Sequence, residues 1–151
     1  MTGPGPTPHP SGVAVAMSQS PFEGSARSHD SVVVPNVQFR TRDGVTLAAD
    51  LYLPALNGKA VAGSFPTLLE RTPYLKDSIR YARRGHWYAR RGYAVVMNDV
   101  RGRGESEGAW YPFAKEAPDG YDAVEWIAEQ PWCSGKVGTM GASYAGSDQS
   151  A

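Results

Sequence analysis

Lys136-Val137-Gly138-Thr139-Met140-Gly141-Ala142-Ser143-Tyr144-Ala145-Gly146 decides how this chain is read. A short apolar run, Val137 to Met140, leads straight into a serine with glycine two residues before it. A serine set between the end of a strand and the start of a helix, among very small residues, is the pattern of a nucleophile elbow. The turn forces the serine into a strained backbone, so its neighbours must not clash; Gly141, Ala142, Ala145 and Gly146 meet that need. The general pattern places glycine two residues after the serine. Here that position holds Ala145, and glycine follows at 146.

Upstream of the elbow, Trp132-Cys133-Ser134-Gly135 reads as a turn, with the strand beginning at Lys136. Before it, Pro118 to Gln130 carries Val124, Ile127 and Ala128 as an apolar stripe, widened by Ala123 and Trp126, and predicts a helix. Pro118 suits its first turn, and Glu116 and Asp119 suit its positive N-terminal end. Tyr93 to Asn98 is an unbroken apolar run expected to form a strand buried on both faces. Ser78 to Arg91 has Ile79, Ala82, His86 (or Trp87) and Ala89 at helical spacing, with its arginine pairs on a solvated face and Gly92 as the stop.

Phe65 to Arg71 is a further strand, closed by Pro73 and followed by a loop at its carboxyl end. Ser31 to Arg40 and Thr46 to Leu53 form a hairpin about Asp43-Gly44, with Pro54 ending it. Asn57 to Ser64 reads as a loop, and residues 1–30, rich in Pro, Gly and Ser, as a disordered leader preceding the folded 31–151. The order strand, helix, strand, loop, helix, strand after residue 65 indicates crossovers in a parallel sheet. The fold class is therefore α/β: a mostly parallel sheet with an antiparallel N-terminal hairpin.

The 15 basic and 15 acidic residues cancel, which leaves no electrostatic footprint for nucleic acid. No apolar run is long enough to span a membrane, and the N-terminus lacks the pattern of a secretory signal. The single cysteine, Cys133, rules out an internal disulfide and reads as a packing residue; a reducing, cytoplasmic setting is expected. Asp99 to Gly108 contains Gly102 and Gly104 after a strand. A dinucleotide-binding reading fails because Glu107 stands where the third glycine is due and no helix start follows. Asp99 and Arg101 read as a structural turn with a local ion pair.

The chemistry centres on Ser143. A serine hydroxyl needs a base, normally a histidine oriented by a carboxylate. Of the ionisable acids and bases, only Asp148 follows Ser143, about one turn into the next helix and out of place for the triad acid; no histidine follows. His9 and His29 lie in or beside the leader, and His86 lies within a helix. An oxyanion hole needs two donors. The backbone N–H of Tyr144 is one, and the Tyr74 hydroxyl, on the loop after an earlier strand, is the candidate for the other; an ordinary loop tyrosine is the alternative. No residue pattern calls for a cofactor or a metal.

Five motifs in order carry a resemblance over about residues 33 to 151. They are Arg42 to Tyr52, Arg71-Thr72-Pro73-Tyr74, Asp99 to Gly108, Trp132 to Gly138, and Gly141 to Gly146. With these the chain resembles the cocaine esterase and Xaa-Pro dipeptidyl-peptidase family of α/β hydrolases, whose elbow is G-x-S-Y-x-G, so that Ala145 agrees with this family. The resemblance implies an α/β-hydrolase fold of which the sequence carries the N-terminal part, ending just after the nucleophile elbow. It implies a serine hydrolase forming an acyl-enzyme on Ser143, with Tyr74 and Tyr144 as oxyanion donors, acting on a small-molecule ester, amide or peptide. Relatives also carry a cap, the triad acid and the histidine, so the piece alone is expected to be inactive; a non-catalytic binding module is the alternative. The elbow strand is expected to lie mid-sheet in the whole domain, with an unpaired edge here.

Overall fold

A computed structural model describes residues 25–149. Most of the leader, including His9, lies outside the described residues. The folded part begins with β1 (Asp30–Arg40) and β2 (Thr46–Leu56), paired antiparallel about the Asp43-Gly44 turn, where Gly44 has φ +86°. Ser28 and His29 already donate their amides to the Arg90 carbonyl, so the chain is tied to the fold just before β1.

Pro54 does not end β2. The strand runs on to Leu56 and turns at Asn57-Gly58 into a two-residue strand, β3 (Lys59–Ala60), within the stretch read as a loop. Asn57 (φ 51°) and Gly58 (φ 75°) supply the two positive φ values that a tight hairpin turn requires.

β4 (Phe65–Thr72) is followed by α1 (Ile79–Ala89), β5 (Ala94–Asp99), α2 (Glu116–Ala128), β6 (Cys133–Thr139) and the short α3 (Tyr144–Ser147). The sheet order is β1-β2-β5-β4-β6, with β3 on β2. β4 runs parallel to both β5 and β6, whereas β2 meets β5 antiparallel, so one mixed sheet joins the hairpin to three parallel strands. β5 is buried along its whole length, as its apolar run requires.

Period-two alternation sends side chains to opposite faces. Leu51, Leu69, Val96, Ala123, Ile127 and Cys133 pack on the α2 side; Tyr52, Tyr81, Ala89, Val95 and Met97 pack on the α1 side. Cys133 is buried in this core, in keeping with a packing role. α1 buries a face rotated from the one its apolar spacing suggests: Ala89 is buried and Ala82 packs on the core as expected, but Ile79 is not inward. Ile79 is 68% exposed, and the inward residues are Tyr81, Gly85 and Ala89. Gly85 lets the helix lie against Tyr52, whose ring a Cβ there would meet within 2.7 Å. Arg84 is also not a purely solvated charge, since it donates to both oxygens of buried Glu70 (2.6 Å to Oε2).

β6 begins at Cys133 rather than Lys136. Its register against β4 shifts between Phe65 and Thr67, and Gly135 (φ +79°) lies within the stretch that accommodates it. Among the described residues β6 is the edge strand, paired only with β4 and largely exposed, which agrees with the unpaired edge expected for the elbow strand.

Candidate active site

Three loops meet beyond the carboxyl ends of the parallel strands, where ligands bind in open α/β sheets. They follow β4, β5 and β6, and all three carry residues with positive φ.

After β6, Ser143 is exposed with φ 58° and ψ −124° at the N-cap of α3, a backbone that a non-glycine residue rarely adopts. The small neighbours are not equivalent. A Cβ on Gly141 would come within 2.8 Å of the Ala145 Cβ and closer still to its carbonyl, so position 141 must be glycine. A Cβ on Gly146 would meet nothing nearer than 3.6 Å. Ala145 is accommodated because residue 141 gives up its side chain. The Ser143 carbonyl accepts the amides of Gly146 and Ser147, which closes the turn into the helix.

Tyr144 is the first residue of α3, so its N–H is one of the first-turn donors that a helix leaves without an internal acceptor. Its side chain has a second part that the sequence did not reveal. The ring is buried and stacks on Phe113 at 4.4 Å; the hydroxyl donates to Glu116 Oε1 at 2.7 Å and accepts the Phe113 amide at 3.0 Å. Burial raises its pKa. Glu116 in turn receives Arg71 Nη2 at 2.7 Å, and both partners are buried. Glu116 is thus more than a charge at a helix N-terminus. It links β4, α2 and the residue after Ser143.

After β4, Tyr74 is 54% exposed and its hydroxyl bonds no described residue. Its backbone is firmly held. The Tyr74 amide donates to Thr72 Oγ1 at 3.0 Å, the Pro73 carbonyl accepts Arg103 Nε at 2.9 Å, and Leu75 adopts φ 70°. The Lys76 amide donates to Asp99 Oδ1 at 2.8 Å. Lys76 Nζ, itself buried, lies 2.6 Å from Glu105 Oε2, 3.1 Å from Asp50 Oδ1 and 4.0 Å from Asp99 Oδ2. Burial works against this ammonium, but its bonds to Glu105 and Asp50 outweigh that and raise its pKa. Burial raises the pKa of Asp99 as well, opposed by the Lys76 and Glu105 amides. No local sequence signal identified Lys76, because its partners come from β2, the end of β5 and the following loop.

The loop after β5 shows why its glycines are structural. A Cβ on Gly102 (φ +70°) would strike the Trp110 backbone, and one on Gly104 (φ +53°) would strike the Asp99 carboxylate. The glycines fold the loop onto Asp99, and no helix begins until Glu116. The ion pairs here are not local. Arg101 donates to both Asp119 oxygens (2.6 and 2.9 Å) and to Asp43 (2.9 Å), joining the first hairpin to α2. Neither Asp99 nor Arg101 is free for a ligand. His86 is half-buried in α1, with Nδ1 2.9 Å from Ser31 Oγ and its ring edge-on to Tyr52, in a packing role.

Asp148 caps α3 at its C-terminal end; it is 6% exposed, and neither carboxylate oxygen has a partner among the described residues. Burial, then the Glu116 charge, push its pKa up to about 7, with Arg71 opposing. It borders a cavity of about 270 Å³ lined also by Leu69, Arg71, Val124 and Ala145. That cavity lies beneath the elbow and includes neither Ser143 nor Tyr74. Among the described residues no His, Cys, Asp and Glu cluster has the arrangement of a metal site, and no helix is long and apolar enough to cross a membrane.

Comparison with known proteins agrees with this geometry. A cocaine esterase from Rhodococcus sp. (strain MB1 Bresler) is 43% identical over 121 residues, covering 78% of this chain and 20% of that protein. Dipeptidyl aminopeptidase BIII of Pseudoxanthomonas mexicana is 33% identical over 142 residues, covering 83% and 20%. The chain therefore spans about a fifth of the length of these curated relatives. Among solved structures, a CocE/NonD family hydrolase from Staphylococcus aureus superposes with a TM-score of 0.68 at 27% identity, over 79% of this chain and 24% of the other. An alpha/beta hydrolase from Penicillium sp. sh18, at 24% identity and TM-score 0.63, covers 78% and 39% and shares the fold. Residues 43–151 match the X-Pro dipeptidyl-peptidase (S15 family) profile, and with its α/β-hydrolase sheet and elbow the chain belongs to that family of hydrolases.

Proposed function

We propose that this chain carries the nucleophile and the oxyanion donors of a serine hydrolase acting on ester, amide or Xaa-Pro peptide bonds. The observation that carries the reading is the backbone of Ser143, exposed at φ 58° and ψ −124° between β6 and α3. Strain of that kind is kept where the turn must present a side chain. Ser143 Oγ attacks the substrate carbonyl carbon, its proton passing to a base, and the carbonyl oxygen gains the negative charge. The Tyr144 N–H and the Tyr74 hydroxyl donate to that oxyanion, and its collapse expels the alcohol or amine to leave an acyl group on Ser143. Water then hydrolyses the acyl-enzyme.

The base and its acid partner come from sequence outside these 151 residues. The length of the relatives and the positions of the histidines support this. His86 packs against Tyr52, and His29 lies beside Ser28 before the first strand. Residues 1–151 by themselves then turn over little substrate, because the relay is missing. A fluorophosphonate probe on the whole enzyme tests the reading. Labelling that is lost in Ser143→Ala, together with a fall in kcat on the order of 10⁶-fold, is the expected result. An unlabelled serine in a protein without turnover leaves a non-catalytic binding module as the better account, and turnover that survives Ser143→Ala puts the nucleophile elsewhere.

A further inference from the structure

We propose that Thr72 is a positioning residue for Tyr74, holding the second oxyanion donor in place through a buried hydroxyl relay. This rests on the reading of Tyr74 given above. Thr72 ends β4 and is wholly buried. Its hydroxyl donates to the Tyr81 hydroxyl on α1 at 2.8 Å and accepts the Tyr74 amide at 3.0 Å. One proton and one lone pair are thus both committed, which fixes the rotor as well as the atom. Tyr81 is buried too, so water has no easy way to replace either bond.

The direction of the relay matters. Tyr74 is half-exposed and its hydroxyl bonds no described residue, so nothing at the tip of the side chain sets its position. Placement comes from the backbone. Pro73 follows Thr72 and fixes its own φ. The next link is the Tyr74 amide, pinned by Thr72. Leu75 then takes φ 70°, and Lys76 is clamped by its amide to Asp99 and by its ammonium to Asp50 and Glu105. The strained residue sits between two anchors. Releasing the Thr72 anchor lets the Pro73–Leu75 segment relax about Lys76 and moves the base of the Tyr74 side chain. Small displacements of an oxyanion donor are costly, since misplacement of about 1 Å loses about 10²-fold in rate.

The test is a kinetic cycle in the whole enzyme. Thr72→Val keeps the shape and removes the hydroxyl. It is expected to lower kcat about 10- to 100-fold with KM little changed, while Thr72→Ser, which keeps the hydroxyl, stays near wild type. In a Tyr74→Phe background, itself reduced about 10²- to 10³-fold, Thr72→Val is expected to add almost nothing. Tyr81→Phe removes the acceptor of the relay and is expected to reduce kcat in the same sense by a smaller factor. It also serves as the test if Thr72→Val does not fold. An equal loss from Thr72→Val with and without the Tyr74 hydroxyl makes its role merely structural and overturns the inference, as does an unchanged kcat. If Tyr74→Phe is itself silent while Ser143→Ala abolishes turnover, the Tyr74 reading fails and this inference with it. If Ser143→Ala keeps turnover, the reading of Ser143 as the nucleophile fails first.

Discussion

The loops after β4 and β6 lie side by side at one end of the sheet, yet they are held by different physics. The Tyr74 loop leaves a central strand and is fixed by buried polar groups: the Thr72 hydroxyl, the Lys76 ammonium and the Asp99 carboxylate. The Ser143 turn follows β6, the edge strand among the described residues, and is fixed by sterics, with Gly141 fitted under Ala145 and a serine at φ 58°. One arrangement fails when a charge is removed. The other fails when a methyl group is added.

The largest effect is expected at the polar anchor. Lys76→Met leaves the buried Asp50 and Asp99, 3.1 and 4.0 Å from Nζ, without their cation and should cost about 3–5 kcal/mol, read as a lower denaturant midpoint. A loss under about 1 kcal/mol would mean the ammonium behaves like a surface charge and that the comparison is wrong. Next comes Gly141→Ala, whose Cβ collides with the Ala145 carbonyl and methyl. Overpacking of this kind costs about 1–3 kcal/mol and should also depress probe labelling of Ser143. A variant that melts and labels like the parent would show that the turn is not held sterically.

A pH-dependent effect is expected at Asp148, whose buried carboxylate oxygens have no partner among the described residues. Its folded pKa is raised to about 7, so between about pH 4 and pH 7 the folded state binds more protons than the unfolded chain. Stability therefore falls as pH rises through that window and levels off above it. Asp148→Asn should remove this slope, making the variant the more stable form at pH 8 and no better than the parent below about pH 4. Parallel pH profiles for the two proteins would place the carboxyl in water. Smallest is Gly146→Ala, whose Cβ meets only the Gly141 carbonyl at ordinary contact distance. It should leave labelling intact and stabilise by about 0.4–1 kcal/mol, whereas the same change five residues earlier destabilises. A loss at both positions would erase the distinction drawn within the elbow.

The difference between the two loops also governs how legible each was. The elbow is a local device in which Gly141 and Ala145 constrain one another around Ser143, so the sizes of near neighbours announce it. The helix at 116–128 and the β5 strand were legible for the same reason, since each carries its periodicity within one window. The apolar spacing of α1 places Ala82 and Ala89 correctly but misplaces Ile79 and misses Gly85, which contributes nothing to an apolar pattern yet seats the helix on Tyr52. Pro54 suggests a stop, but β2 pairs with β3 and β1 there and continues to Leu56. Lys76 and Glu116 gave no usable signal, because a lysine in a loop and a glutamate at a helix start are both ordinary on a surface. Only the fold buries them.

The sequence by itself determined the strand–turn–helix at Ser143, the order of strands and helices apart from β3, and the family. These depend on side-chain size, backbone freedom and hydrophobic period, which act between near neighbours. Tertiary structure decided which charges are buried and what they hold. Lys76 meets Asp50 across 26 positions of sequence, Arg71 meets Glu116 across 45, and Thr72 meets Tyr81 between a strand and the next helix. Such pairings are set by which strands lie side by side, and no local pattern encodes that. Ser143 is presented by its immediate neighbours, whereas the loop that carries Tyr74 is held in place by residues drawn from across the sheet.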